Sequence, residues 1–145
     1  MKLIIGNDHK GTKLKKQIIS FLRKEGYEIE NIGTDDETST DYPKYAFEVG
    51  NKILNKTAEF GILICGTGIG MSITANKVHG VRCALVHSVR EAKLSREHND
   101  ANVLALPSNM CFITAKKIVK IFLNTNFSEE ERHINRINLI KEYEK

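Results

Sequence analysis

Cys65 closes an apolar run, Ile62-Leu63-Ile64, and stands directly before Gly66-Thr67-Gly68-Ile69-Gly70. A strand that enters a glycine-rich turn and then a helix gathers unpaired backbone N–H groups at one point. Such a turn binds phosphate, carboxylate or a transient oxyanion, because both the amides and the helix dipole favour negative charge there. A cysteine at that junction can hold a thiolate and act as base or nucleophile. The plainer reading is a packed structural thiol, the commonest state of a free cysteine, and the strand-end position weighs against it. Cys83, inside RCALV, and Cys111, at a helix start among apolar residues, read as structural. On this reading Cys65 should be alkylated before the other two.

The turn does not fit a dinucleotide. Met71 occupies the place of the third small residue, and the next strand ends in Val86-His87-Ser88 without a ribose-binding acid. Nor does Gly6–Lys13, GNDHKGTK, make a P-loop, since Thr precedes Lys and charged residues fill the loop. Other polar groups are placed for chemistry: Asp8 and His9 after the first apolar run, Tyr42 before Pro43, and the His98-Asn99-Asp100 cluster. Arg132 and Arg136 lie four apart, on one helix face, where a pair of guanidinium groups can grip a phosphate. Each has a bland alternative. Asp8 can be a helix N-cap, His9 a solvated loop residue and Thr67 a turn residue. Tyr42 can pack before Pro43, His98 can sit in a loop cap, and the arginines can be a solvated face.

What must position these groups is an alternation of short β-type runs with helical stretches. The runs are KLIIG at 2–6, EIENIG at 28–33, GILIC at 61–65, RCALVH at 82–87 and NVLALP at 102–107. That alternation predicts an α/β fold with a five-stranded parallel sheet, doubly wound in the order 2-1-3-4-5. Leu14, Ile18, Phe21 and Leu22 keep helical spacing and stop at Gly26; Ala46, Val49 and Ile53 repeat it, as do Ala115, Ile118, Val119 and Phe122. The first and third strands then flank the topological switch point, and Asn7-Asp8-His9 should stand beside Cys65 in that crevice. SEEE at 128–131 reads as a capping box that opens a last helix. Its stripe of Ile134, Ile137 and Ile140 needs a surface, on its own domain or on a neighbour.

The 145 residues fit one domain, 1–145, with 41% apolar and 28% charged content. No apolar run approaches the roughly 20 residues of a membrane span, and the N-terminus is too short in apolar residues for a secretory signal. A cytoplasmic protein with reduced thiols is expected. Three cysteines are too few and wrongly spaced for a disulfide scaffold or a Cys-x-x-Cys zinc site, so no metal is expected. The net charge of +4 is interleaved rather than gathered on one face, which suits a small anionic ligand better than nucleic acid.

NDHKG at 7–11, TDYP at 40–43, ILICGTGIGMSITANK at 62–77, LSREHNDANVLAL at 94–106 and RHINR at 132–136 together resemble ribose-5-phosphate isomerase B. The related galactose-6-phosphate isomerase subunits share the glycine turn but typically lack the histidine at 98. The resemblance covers nearly the whole chain and implies a Rossmann-like three-layer sandwich with a C-terminal helix. The implied activity is interconversion of ribose 5-phosphate and ribulose 5-phosphate, without cofactor, in the pentose phosphate pathway. It makes Cys65 the base, has Thr67 and the amides of Gly66 to Gly70 surround the enediolate, and has His98 open the furanose ring. Asp8, Tyr42 and Asn99 would contact sugar hydroxyls; His9, Arg132 and Arg136 would hold the phosphate. Another branch of the family uses a glutamate at the position of Met71 as base, and methionine cannot accept a proton. The resemblance also implies a homodimer, or a tetramer, in which Cys65 of one chain meets His98 of its partner. Asn109 stands where many relatives carry a basic residue. A six-carbon substrate such as allose or galactose 6-phosphate is therefore the alternative. A non-catalytic sugar-phosphate sensor is the alternative of another class, against which Cys65 and His98 argue.

Overall fold

Leu3, Ile4 and Ile5 are consecutive and all fully buried, as are Ile62, Leu63 and Ile64. Successive strand residues point to opposite faces, so unbroken apolar runs require a sheet covered on both sides, the condition of a parallel sheet. The computed structural model describes Met1–Lys145 and has that arrangement. Its strands are β1 (Lys2–Asn7), β2 (Glu28–Asn31), β3 (Phe60–Cys65), β4 (Cys83–Leu85) and β5 (Val103–Pro107), all parallel. The helices are α1 (Thr12–Lys24), α2 (Tyr42–Leu54), α3 (Ile69–Ala75), α4 (Val89–Asn99), α5 (Phe112–Asn124) and α6 (Glu131–Tyr143). One core packs α1, α5 and Ala92 of α4 on Leu3, Ile5, Ile62, Ile64, Leu104 and Leu106. The other packs α2 and α3 on Ile4, Leu63, Cys65, Val103 and Ala105. No helix is long and apolar enough to cross a membrane.

The three-layer α/β class is as expected, but the strand order is 2-1-3-5-4 rather than 2-1-3-4-5. Composition explains the exchange. VLALP is buried at every position and belongs between two strands, whereas only Cys-Ala-Leu of RCALVH is strand, with Ala84 and Leu85 half-buried at the edge. The switch point is unaffected, since β1 still pairs with both β2 and β3. Gly26, at φ +89°, follows α1 as the expected C-terminal stop. The capping box does not form. Ser128 Oγ instead accepts the Glu130 N–H at 3.4 Å and the Ser128 N–H donates to the Glu97 carbonyl at 3.0 Å, so α6 starts later, at Glu131. Of its isoleucine stripe only Ile137 is buried by the chain's own packing, while Ile134 and Ile140 stay exposed.

α1 carries a polar residue inside its buried face. Lys15 is 0% exposed, and its ammonium donates to the Thr34 carbonyl and to Asp35 Oδ1, the latter at 2.6 Å. This pins the loop between β2 and α2 to the helix. The Lys15 ammonium, and after it the Asn31 amide, hold the Asp35 carboxyl below its ordinary value. A group lowered in this way stabilises fully above its unfolded value of 3.8, and the contribution disappears as pH falls through the folded value, so acid loosens the loop. Because Asp35 is largely solvated, Lys15→Met should cost only about 1 to 2 kcal/mol in urea unfolding. It should also speed amide exchange at residues 34 to 40, with unchanged exchange there refuting the tether.

Candidate active site

The β1–β3 ladder pairs Asn7 with Ile64, and the Asp8 N–H continues it by donating to the Ile64 carbonyl at 3.2 Å. Asp8 is therefore held next to Cys65, the following residue of β3. Its Oδ1 accepts the Lys10 N–H at 2.9 Å and caps the short 3-10 turn His9–Gly11. The N-cap duty is thus real and engages one of the two carboxylate oxygens. His9 Nδ1 accepts the Thr40 N–H at 3.2 Å, so a neutral His9 carries its proton on Nε2, free to donate. That same bond draws in the segment that delivers Tyr42.

Beyond Cys65 the chain turns sharply because Gly68 adopts φ +76° at the N-cap of α3, a conformation that suits glycine. A Cβ there would also fall 2.5 Å from Leu85 Cδ1. The Gly68 N–H points at Cys65 Sγ, 3.2 Å away, and Cys65 is 4% exposed. The Tyr42 ring lies over Gly70 so closely that a Cβ would come within 2.5 Å of its Cζ. Thr67 Oγ1 accepts the Ile69 N–H at 3.2 Å, which satisfies the turn and still leaves its hydroxyl hydrogen to donate outward. Gly66, Thr67, Gly68 and Gly70, with Asp8, His9, Tyr42 and Cys65, thus form one cluster at the carboxyl end of the sheet. Sequence reasoning passed over Lys10, whose Cγ lies 3.9 Å from where a Gly66 Cβ would be, and Thr40, which acts through its backbone.

His98 and Asn99 are not in this cluster. A helix that leaves the carboxyl end of β4 and returns to begin β5 must finish at the amino end, and His98 and Asn99 are the last residues of α4. Arg82, just before β4, fixes the place: its Nε donates to the carbonyls of Asn99 and Asp100, each at 3.0 Å. His98 stacks on His133 of α6, ring centroids 4.3 Å apart and planes 16° from parallel. Exposed Arg132 and Arg136 flank His133 in sequence, and Arg132 Nε donates to Glu130 at 2.9 Å. One chain therefore carries two half-sets: thiol, amides and Asp8 at one end, and imidazole, amide side chain and guanidinium groups at the other. Asn109 is exposed on the loop after β5.

The cysteines differ in ways their sequence contexts did not show. Burial pushes the Cys83 thiol up to about 12, against a smaller opposing effect of its hydrogen bond with Ser72. Cys111 is exposed at the N-cap of α5, not packed. Access therefore reorders the expected labelling: Cys111 should react first with a bulky maleimide at neutral pH, Cys65 after it and Cys83 last. Peptide mass spectrometry over a time course checks the order, and a sugar phosphate should slow Cys65 alone.

A sequence model of the Ribose/Galactose Isomerase family matches residues 3–140. Ribose-5-phosphate isomerase B of Escherichia coli K12 is 41% identical over 140 residues, 96% of this chain and 93% of that protein. The Clostridium thermocellum ribose-5-phosphate isomerase B structure superposes with a TM-score of 0.96 at 43% identity, covering 99% of this chain and 97% of that one. The Mycoplasma genitalium enzyme with bound ribulose 5-phosphate gives 0.93 at 42% identity, covering 99% and 95%. With the matched family model spanning nearly the whole chain and the fold shared throughout, the chain belongs to the ribose/galactose isomerase family.

Proposed function

We propose that this aldose–ketose isomerase interconverts ribose 5-phosphate and ribulose 5-phosphate through an enediolate, with Cys65 as the base. The observation that carries the reading is the Cys65 sulfur at the head of an amide-lined turn, accepting the Gly68 N–H and following the residue to which Asp8 is bonded. A proton on carbon next to a carbonyl is weakly acidic, so its removal needs a placed base and stabilisation of the oxygen charge as it develops. Cys65 as thiolate takes the C2 proton of the open-chain aldose. The C–H electron pair becomes the C1–C2 double bond and the carbonyl electrons move onto O1. Donors from Gly66 to Gly70 and the Thr67 hydroxyl meet that charge. The thiol returns the proton to C1, the hydroxyl proton at C2 is lost, O1 is protonated, and ribulose 5-phosphate results. Asp8, Tyr42 and Asn99 hold sugar hydroxyls. His98 moves the proton between ring oxygen and C1 hydroxyl that ring opening requires. His9 with Arg132 and Arg136 clamps the phosphate, which keeps both carbons within reach of one sulfur.

Removing the base but none of the clamp, Cys65→Ala should lower turnover of ribose 5-phosphate by about 10³-fold while binding of the sugar phosphate changes little. A coupled assay together with calorimetric binding checks this. Turnover within tenfold of the unmodified enzyme would remove Cys65 from the role of base.

The two half-sets lie at opposite ends of the sheet, which supports a homodimer whose sites each draw Cys65 from one chain and His98, Asn99, Arg132 and Arg136 from the other. A two-fold axis that brings one half-set to the other does so twice. Unfolding Cys65→Ala and His98→Ala chains together in equal amounts and refolding them should make about half the dimers mixed, each with one intact site, and restore about a quarter of full activity. No recovery, with mixed dimers verified by native mass spectrometry, would place both groups in one chain's site.

A further inference from the structure

His133 has no part in the chemistry just described, yet it is the most unusual histidine of the chain. It is 3% exposed, its Nε2 has no hydrogen-bond partner, and its ring lies flat on His98 at a centroid separation of 4.3 Å. A phenyl ring in this place would fill similar space without the desolvation cost of a polar nitrogen left unsatisfied. We propose that His133 is a positioning residue for the isomerisation, a flat platform that fixes the plane of the His98 imidazole across the α4–α6 contact. The inference rests on the reading of His98 as the ring-opening group.

The geometry gives the platform two effects. His98 is on the last turn of α4, half-exposed, and the α4–α6 packing is what limits rotation of its ring about the side-chain bonds. A face-on stack at 16° leaves the ring edge, with both nitrogens, turned away from His133. The first turn of α6 is closed by backbone bonds, the His133 N–H donating to the Glu130 carbonyl at 2.9 Å and the Ile134 N–H to the same carbonyl at 3.0 Å, and Arg132 and Arg136 extend from that turn and the next. Those bonds belong to the backbone, so what the His133 side chain itself adds is the stack on His98.

Its surroundings also disfavour a charge on the platform. Burial is the main cause that holds the His133 imidazole below its ordinary value of 6.5; repulsion from His98 on α4 and from Arg132 and Arg136 on α6 adds to it, and Glu130 opposes it. Two charged imidazoles in this stack beside two arginines would repel. A histidine lowered on folding contributes fully above 6.5, and that contribution is lost as pH falls through the folded value.

The test uses the full-length enzyme and four variants: His133→Leu, His133→Phe, His98→Ala and His98→Ala with His133→Leu. Leucine keeps the volume and removes the flat face, so the kcat for ribose 5-phosphate should fall about tenfold with KM within about twofold, a split that general loosening of α6 and its arginines would not give. Phenylalanine keeps the face, so kcat should stay within about threefold. It attracts a cation, so the acid limb of the kcat profile should move to higher pH by about half a unit, and loss of melting temperature between pH 7 and 5 should lessen. In the His98→Ala background His133→Leu should add nothing to the loss of kcat, as expected of a residue acting through His98. Wild-type kcat and pH profile in both single His133 variants would overturn the platform, as would the same fold-loss from His133→Leu with and without His98. Wild-type kcat in His98→Ala would instead overturn the reading of His98 on which it rests.

Discussion

The hydrogen bond from the Asp8 N–H to the Ile64 carbonyl, at 3.2 Å, carries the β1–β3 ladder past the end of β1. Everything at the carboxyl end of the sheet is referenced to it. It fixes where the Asp8 carboxylate starts its cap on Lys10 and where His9 emerges to accept the Thr40 N–H. Thr40 in turn brings Tyr42 against Gly70, and Gly70 belongs to the turn that begins at Cys65. The circuit closes on the strand it left. A shift of one residue between β1 and β3 would flip Leu3, Ile4 and Ile5 onto the wrong cores, so burial of those side chains also protects the register of the polar groups.

At the other end the determining constraint is chain direction. In a parallel sheet every crossover helix runs back from the carboxyl to the amino end. Residues on the strand-to-helix turns and residues on the helix-to-strand turns can never meet inside one such domain. Cys65 belongs to the first kind and His98 to the second. Each group is anchored within its own end of the fold, Asp8 and Cys65 by the ladder and His98 and Asn99 by the stack on His133 and the Arg82 bonds.

Much of this was readable in the residue string. Period and punctuation located five strands and the major helices, and the adjacency of β1 and β3 followed from the doubly wound pattern. The order of β4 and β5 did not follow from the alternation, although Arg82 and His87 at the ends of RCALVH, against the wholly apolar VLALP, mark the former as an edge strand. The glycine turn was legible because its residues have few other uses. Lys15 and His133 were not, since burial of a polar side chain depends on partners distant in sequence, Thr34 and Asp35 for one and His98 for the other. Even so, Lys15 falls on the helical face of Leu14, Ile18 and Leu22, where a lysine is out of place. The Thr40 contact to His9 uses a backbone N–H, which every residue but proline offers, so no side-chain pattern could reveal it.

The two margins of the sheet are short. β4 contributes three residues, and β2 only four, of which Glu28 and Glu30 are acidic; Glu30 is paired with Lys52 and with Lys2, the latter at 3.6 Å. A foreign β-strand seeking to add itself would find few free backbone groups at either margin, and a charged fringe along β2. Edge-to-edge growth of the sheet is thereby disfavoured, and crowding of this protein should favour contacts through helix surfaces, where Ile113, Leu139 and Tyr143 stand exposed.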